Sequence, residues 1–134
     1  MASRPRADVT DAELAVLKEL WELGPATIRR LTDRLYPDGG ASQYATVQKL
    51  LERLEQKRCV KRKAEGRVNV YSPVAGREDL IDLRLRDTAQ KLCEGSLTPL
   101  LTHLVGSSRL SGDEIADLRR LVESLDDDKK GGSR

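Results

Sequence analysis

Chemistry-bearing residues are scarce in this chain, and each shortage removes a class of function. There are two cysteines, Cys59 and Cys93, with 33 residues between them, and His103 is the only histidine. Structural zinc needs several such ligands in close sequence pairs, so no metal is expected and both thiols are expected to be half-buried. The histidine lies in a leucine-rich stretch, no glycine-rich loop follows a strand, and Gly39-Gly40 reads as a turn. No catalytic residue and no cofactor are therefore assigned. Long apolar runs are missing too: MASRPRADVT has no signal-peptide core, and no stretch approaches the roughly 18 apolar residues of a membrane span. The expectation is a cytoplasmic protein with no membrane partner.

What is present is charge and periodic leucine. At 134 residues, with 38% hydrophobic and 34% charged, the chain suits a soluble, helix-rich protein with room for one small domain and an appendage. The formal net charge of +2 conceals its distribution. Residues 42–72 hold eight Lys/Arg against three Asp/Glu, while the segments before and after hold six against seven and ten against twelve. A basic block between mildly acidic flanks is the footprint of a nucleic-acid-binding element in a larger scaffold, although a solvated charged face would look the same by charge alone.

A basic arm with Arg4 and Arg6 precedes Thr10-Asp11-Ala12-Glu13, a capping box that starts a first helix. Leu14, Leu17, Leu20 and Trp21 give that helix an apolar stripe, and Gly24-Pro25 stops it. Thr27 caps a shorter helix with Ile28, Leu31 and Leu35 facing inward, ended by Pro37-Asp38-Gly39-Gly40. A third helix runs from Ser42 to about Arg58 and buries Val47, Leu50, Leu51 and Leu54. Its opposite face carries Ser42, Ala45, Lys49, Glu52 and Gln56, flanked by Thr46, Gln48 and Arg53. Small residues permit close approach, and amides, hydroxyls and cations can meet base edges or phosphates in a major groove.

Residues 60–72 alternate around Glu65-Gly66 and read as a β-hairpin, with Lys61 and Lys63 on one side of its first strand and Arg67 at its tip. A fourth helix from Gly76 to about Cys93 carries Leu80, Ile81, Leu83, Leu85, Ala89 and Leu92 over more of its circumference than one small domain needs. Ser96 starts another helix with Leu97, Leu100, Leu101, Leu104 and Val105. Ser111-Gly112-Asp113-Glu114 caps the last, with Ile115, Leu118, Leu121, Val122 and Leu125. Three amphipathic helices without a sheet do not readily enclose these leucines, so they are expected to pack against a second copy. A self-contained helical hairpin is the alternative.

The expected fold is mainly α with a small β-hairpin wing. A winged helix-turn-helix DNA-binding domain occupies 1–75, a helical dimerisation region 76–126, and a disordered tail 127–134. The assigned dimer contacts are Leu80, Leu83, Leu97, Leu100, Leu101, Leu104, Leu118 and Leu121. The assigned DNA contacts are Ser42, Tyr44, Ala45, Thr46, Gln48, Lys49, Arg53, Lys61, Lys63 and Arg67. The same scaffold could instead serve as a protein–protein interaction module without DNA affinity.

This order of elements resembles the penicillinase-repressor family of winged-helix regulators, the BlaI and MecI type, over roughly residues 8–125. The resemblance rests on Val9-Thr10-Asp11-Ala12-Glu13-Leu14 with Leu20-Trp21, on the run from Tyr44 to Leu54, and on Gly66-Arg67 with Val70-Tyr71-Ser72-Pro73. It implies a homodimeric repressor on palindromic double-stranded operator DNA, linked to antibiotic or cell-wall stress, with Ala45, Thr46 and Lys49 at base-approaching positions. Gln48 and Arg53 lie beside them, and Tyr44 is at the helix start. Ala45 stands where some members have a polar or basic residue. Antibiotic-responsive members are inactivated when a membrane sensor protease cuts an Asn-Phe bond, which implies a regulatory protease as a further partner. The matching pair here, His103-Leu104, departs from that bond. The cysteine-pair motif of the copper-responsive branch does not follow Cys93.

Overall fold

The computed structural model describes residues 5–107 and 110–131, so Arg4 of the expected basic arm lies outside the described residues. The element order is α1 (Asp11–Leu23), β1 (Ala26–Thr27), α2 (Ile28–Leu35), α3 (Ala41–Gln56), β2 (Val60–Glu65), β3 (Val68–Pro73), α4 (Arg77–Leu92), α5 (Thr98–Gly106) and α6 (Gly112–Gly131). The chain divides into two compact units, residues 1–87 and 88–134.

Local chemistry sets most of these boundaries. The Thr10 hydroxyl accepts from the Glu13 amide at 3.2 Å and the Glu13 carboxylate accepts from the Thr10 amide at 3.0 Å, closing the expected capping box. Gly24 ends α1 at φ 80, a left-handed backbone that a side chain disfavours. Thr27 caps α2 through the Arg30 amide at 3.2 Å. α3 starts at Ala41, one residue before Ser42, and its N-cap is Gly40, whose amide donates to Gln43 Oε1 at 2.8 Å. It ends at Gln56 rather than near Arg58, because Arg58 adopts φ 62. There the Cys59 amide donates to the Leu54 carbonyl and the Arg58 amide to the Glu55 carbonyl, a Schellman motif with arginine at the left-handed position.

The expected hairpin is part of a three-stranded antiparallel sheet of order β1-β3-β2. The two-residue β1 pairs Ala26 with Tyr71 and Thr27 with Val70; a dipeptide is too short to show alternation, so sequence patterning missed it. Glu65 pairs with Val68, which leaves Gly66-Arg67 as the turn, with Gly66 at φ 64.

The core of the first unit combines Val16, Leu17 and Leu20 of α1, Ile28 and Leu31 of α2, and Val47, Leu50, Leu51 and Leu54 of α3 with Val60, Tyr71 and Ala75. Cys59, expected half-buried, is fully buried in this core, and burial pushes its thiol pKa up. The first part of α4 belongs here as well, which moves the boundary expected at 75 to beyond residue 87. The Trp21 indole N–H donates to the Ala75 carbonyl at 2.8 Å, the Arg84 guanidinium donates to the Val9 carbonyl, and Leu80 is buried in the same cluster with Leu83 packed against it. Leu80, assigned from sequence to the dimer contact, is therefore a core residue of the winged helix, while Leu83, assigned there too, is half-buried against that core. A helical period reports which side is apolar but not which neighbour covers it.

In the second unit, Ser111 and Glu114 form the expected capping box of α6. This helix continues to Gly131, past the expected end at 126. Residues 126–130 contain neither Pro nor Gly, so nothing in the backbone stops propagation before that glycine. Residues 132–134 of the expected tail lie outside the described residues. α5 buries none of its residues, and Leu97, Leu101, Leu104 and Leu121 are exposed, with Leu100 and Leu118 partly so. Among the described residues, no helix is long and apolar enough to cross a membrane.

Candidate nucleic-acid interface

The burial of Val47, Leu50, Leu51 and Leu54 fixes the rotation of α3 about its axis. The opposite face then presents Ser42, Ala45, Thr46, Gln48, Lys49 and Arg53, all exposed, together with Glu52 and Gln56. The Thr46 hydroxyl donates to the Ser42 carbonyl at 3.0 Å and keeps its lone pairs outward for an incoming donor. Tyr44 is half-buried, with the Arg29 guanidinium 5.1 Å from its ring centroid.

Alternation along β2 separates two sets of cations in the wing. Val60 is buried, so Arg62 shares its face, opposite the buried Tyr71, and reaches Glu55 of α3 at 3.7 Å. Lys61 and Lys63 lie on the other face, exposed, beside Ser72 and Val70 of β3. Arg67 stands exposed in the turn. The assigned residues thus fall into three groups: the outer face of α3, the turn of the wing beside it, and the far side of the sheet.

Charge pairing within the described residues neutralises some surface cations and leaves others open, including Lys18 and Arg119 outside this region. Arg34 is held by Glu19 at 2.8 Å and Glu22 at 2.6 Å, and Lys57 by Glu13 at 2.6 Å. Among the described residues, no carboxylate pairs with Lys49, Arg53, Lys61, Lys63, Arg67 or Arg29. An unpaired exposed guanidinium or ammonium keeps its donors and its field for an external anion, and a row of them suits a polyanion. No cluster of His, Cys, Asp or Glu able to hold a metal occurs among the described residues.

Arg29 was missed by sequence reasoning. Its only signal was its place two residues after the Thr27 cap, and nothing local says that α2 delivers it to the ring of Tyr44 fifteen residues on.

Comparison with known proteins gives a consistent result. The family model described as Penicillinase repressor matches residues 9–124. The chain is 29% identical over 122 residues to the penicillinase repressor of Bacillus licheniformis, spanning 91% of this chain and 94% of that protein. It is 34% identical over 118 residues to the transcriptional regulator BlaI of Mycobacterium tuberculosis, spanning 87% and 83% respectively. Among solved structures it is similar to the DNA-binding domain of the repressor BlaI, with a TM-score of 0.47 and 26% identity, covering 57% of this chain and 93% of that one. A probable transcriptional regulator from Pseudomonas aeruginosa gives a TM-score of 0.44 at 28% identity, with 87% and 77% covered. A family pattern that runs through both compact units, from the cap of α1 into α6, places this chain in the penicillinase repressor family of transcriptional regulators.

Proposed function

We propose that this protein is a homodimeric transcriptional repressor that binds a palindromic operator, each copy laying α3 in a major groove with its wing against the flanking backbone. The observation that carries the reading is the set of exposed cations on α3 and the wing turn with no carboxylate partner among the described residues, beside the polar, small-residue face of α3. In this arrangement Ala45 permits close approach, Thr46 and Lys49 read base edges with Gln48 beside them, Ser42 and Tyr44 position the helix start, and Arg53 and Arg67 take phosphates. Lys61 and Lys63, on the far side of the sheet, contribute long-range attraction and not direct contact.

The second unit supplies the twin. Leu97, Leu101, Leu104 and Leu121 expose apolar surface on helices that bury little within one chain, which supports self-association. The names of the relatives support regulation of genes for antibiotic or cell-wall stress. Induction by a regulatory protease would act at His103-Leu104, inside α5, so the helix must open before the bond can enter an active site.

The test is retention of genomic fragments by the purified protein, then titration of the recovered site. Affinity should fall steeply with salt and exceed that for random duplex. Replacing Lys49 or Thr46 by Ala should cost about 1 to 3 kcal/mol at the matched site. No preference for any fragment, or full affinity in both variants, would remove the recognition role from α3.

A further inference from the structure

We infer that the cleft between α2, α3 and the wing turn is a clamp for one backbone phosphate of the bound duplex, and that Arg29 is its positioning residue. The inference rests on the DNA-binding reading above and names a site that this reading did not contain.

The cleft encloses about 240 Å³, enough for a phosphate and part of its sugar, and its polar lining is Thr27, Arg29, Tyr44, Gln48, Arg67 and Asn69. Two guanidiniums, two side-chain amides and two hydroxyls meet there, with no carboxylate in the lining. This donor set fits an anion with several acceptor oxygens, and guanidinium forks match a phosphate's geometry. Burial of Ile28, Leu31 and Thr32 turns Arg29 outward from α2, and the ring of Tyr44 then supports its guanidinium at 5.1 Å. A stacked arginine is already ordered before the anion arrives, so less side-chain entropy remains to be lost on binding.

The location gives the clamp its consequence. Tyr44 and Gln48 lie one helical turn apart on α3, adjacent to Ala45 and Lys49 on the groove-facing side. A phosphate held between Arg29 and Arg67 therefore ties the register of α3 in its groove to the wing turn. Phosphate contacts of this kind orient a reader without carrying sequence information.

The experiment is an anisotropy titration of the full chain against its recovered operator and a random duplex over a range of salt, with wild type, Arg29→Ala and Arg29→Lys. Arg29→Ala should weaken both duplexes by the same factor, about tenfold, and reduce the salt slope by about 1.8, since each copy of the dimer loses one phosphate contact. Arg29→Lys should keep the slope and lose a few-fold, since an ammonium keeps the charge without the fork or the stacking. A series of duplexes, each with one phosphate replaced by a neutral methylphosphonate, gives a second readout that does not depend on how well the alanine variant folds. One position in each half-site should weaken wild type and weaken Arg29→Ala distinctly less, because only the Arg67 contact is left to lose there. Wild type that binds no duplex overturns the DNA reading and the clamp with it. If wild type binds but Arg29→Ala binds equally, loses only the operator, or shows no such methylphosphonate position, the clamp alone is overturned.

Discussion

Replacing Lys57 by methionine should cost the first unit about 3 to 5 kcal/mol near neutral pH, the range expected when one partner of a buried ion pair is removed. The magnitude follows from the surroundings of Glu13, which is 1% exposed. One carboxylate oxygen accepts from the Thr10 amide at 3.0 Å and from the Lys57 ammonium at 2.6 Å, whereas the other is buried with no partner among the described residues. The same ammonium donates to the Asp8 carbonyl at 2.7 Å, so it also ties the N-terminal segment to the end of α3. Methionine keeps most of the packing volume and leaves the carboxylate with a single donor. Burial works to raise the Glu13 pKa, but the Lys57 hydrogen bond and charge and the Thr10 amide outweigh it and hold the pKa below the ordinary carboxylate value. A depressed carboxyl pKa contributes stability that is present above the unfolded value and is lost as pH falls through the folded one. In the variant only burial and one amide act, so the pKa rises and the group becomes neutral at mildly acidic pH. The deficit relative to wild type should therefore be largest near pH 7 and shrink toward about pH 4. Urea unfolding followed by Trp21 fluorescence at both pH values measures it. A loss below about 1 kcal/mol, or one that does not change with pH, would refute the assignment of a buried charge at Glu13.

Arg58→Gly should stabilise the protein by about 0.5 to 1 kcal/mol and raise Tm by a few degrees, because φ 62 costs an L-residue more than the extra chain entropy glycine loses on folding; an unchanged or lower Tm would count against it. Leu80→Ala should cost about 2 to 5 kcal/mol of unfolding free energy and leave self-association intact, whereas Leu101→Ala should do the reverse. Denaturation and light scattering on both variants check the pair, and a Leu80 variant that is stable but monomeric would return that residue to the interface. Thr10→Ala should cost about 1 kcal/mol through loss of the α1 cap, and a thermal melt that matches wild type would show the capping box to be dispensable.

The features legible in the sequence were those whose cause lies within a few residues. Thr10 with Glu13 and Ser111 with Glu114 cap helices that begin where the side chains meet their own backbone. The apolar spacing of Val47, Leu50, Leu51 and Leu54 showed which face of α3 is buried, and so which face is left for a partner. The hairpin followed from alternation on either side of one glycine. What required the tertiary structure was every question of which neighbour a side chain meets. Periodicity marked Leu80 as apolar, but its place in the winged-helix core depended on the path of the chain after Ala75. The basic block was visible as a sum, yet which of its cations are neutralised depended on Glu13 and Glu55 reaching Lys57 and Arg62 from other elements. Arg29 and Tyr44 come together only because α2 and α3 pack on one core. Local order arises from backbone chemistry repeated every few residues, whereas a site is made by contacts between segments whose separation in sequence carries no information about their distance in space.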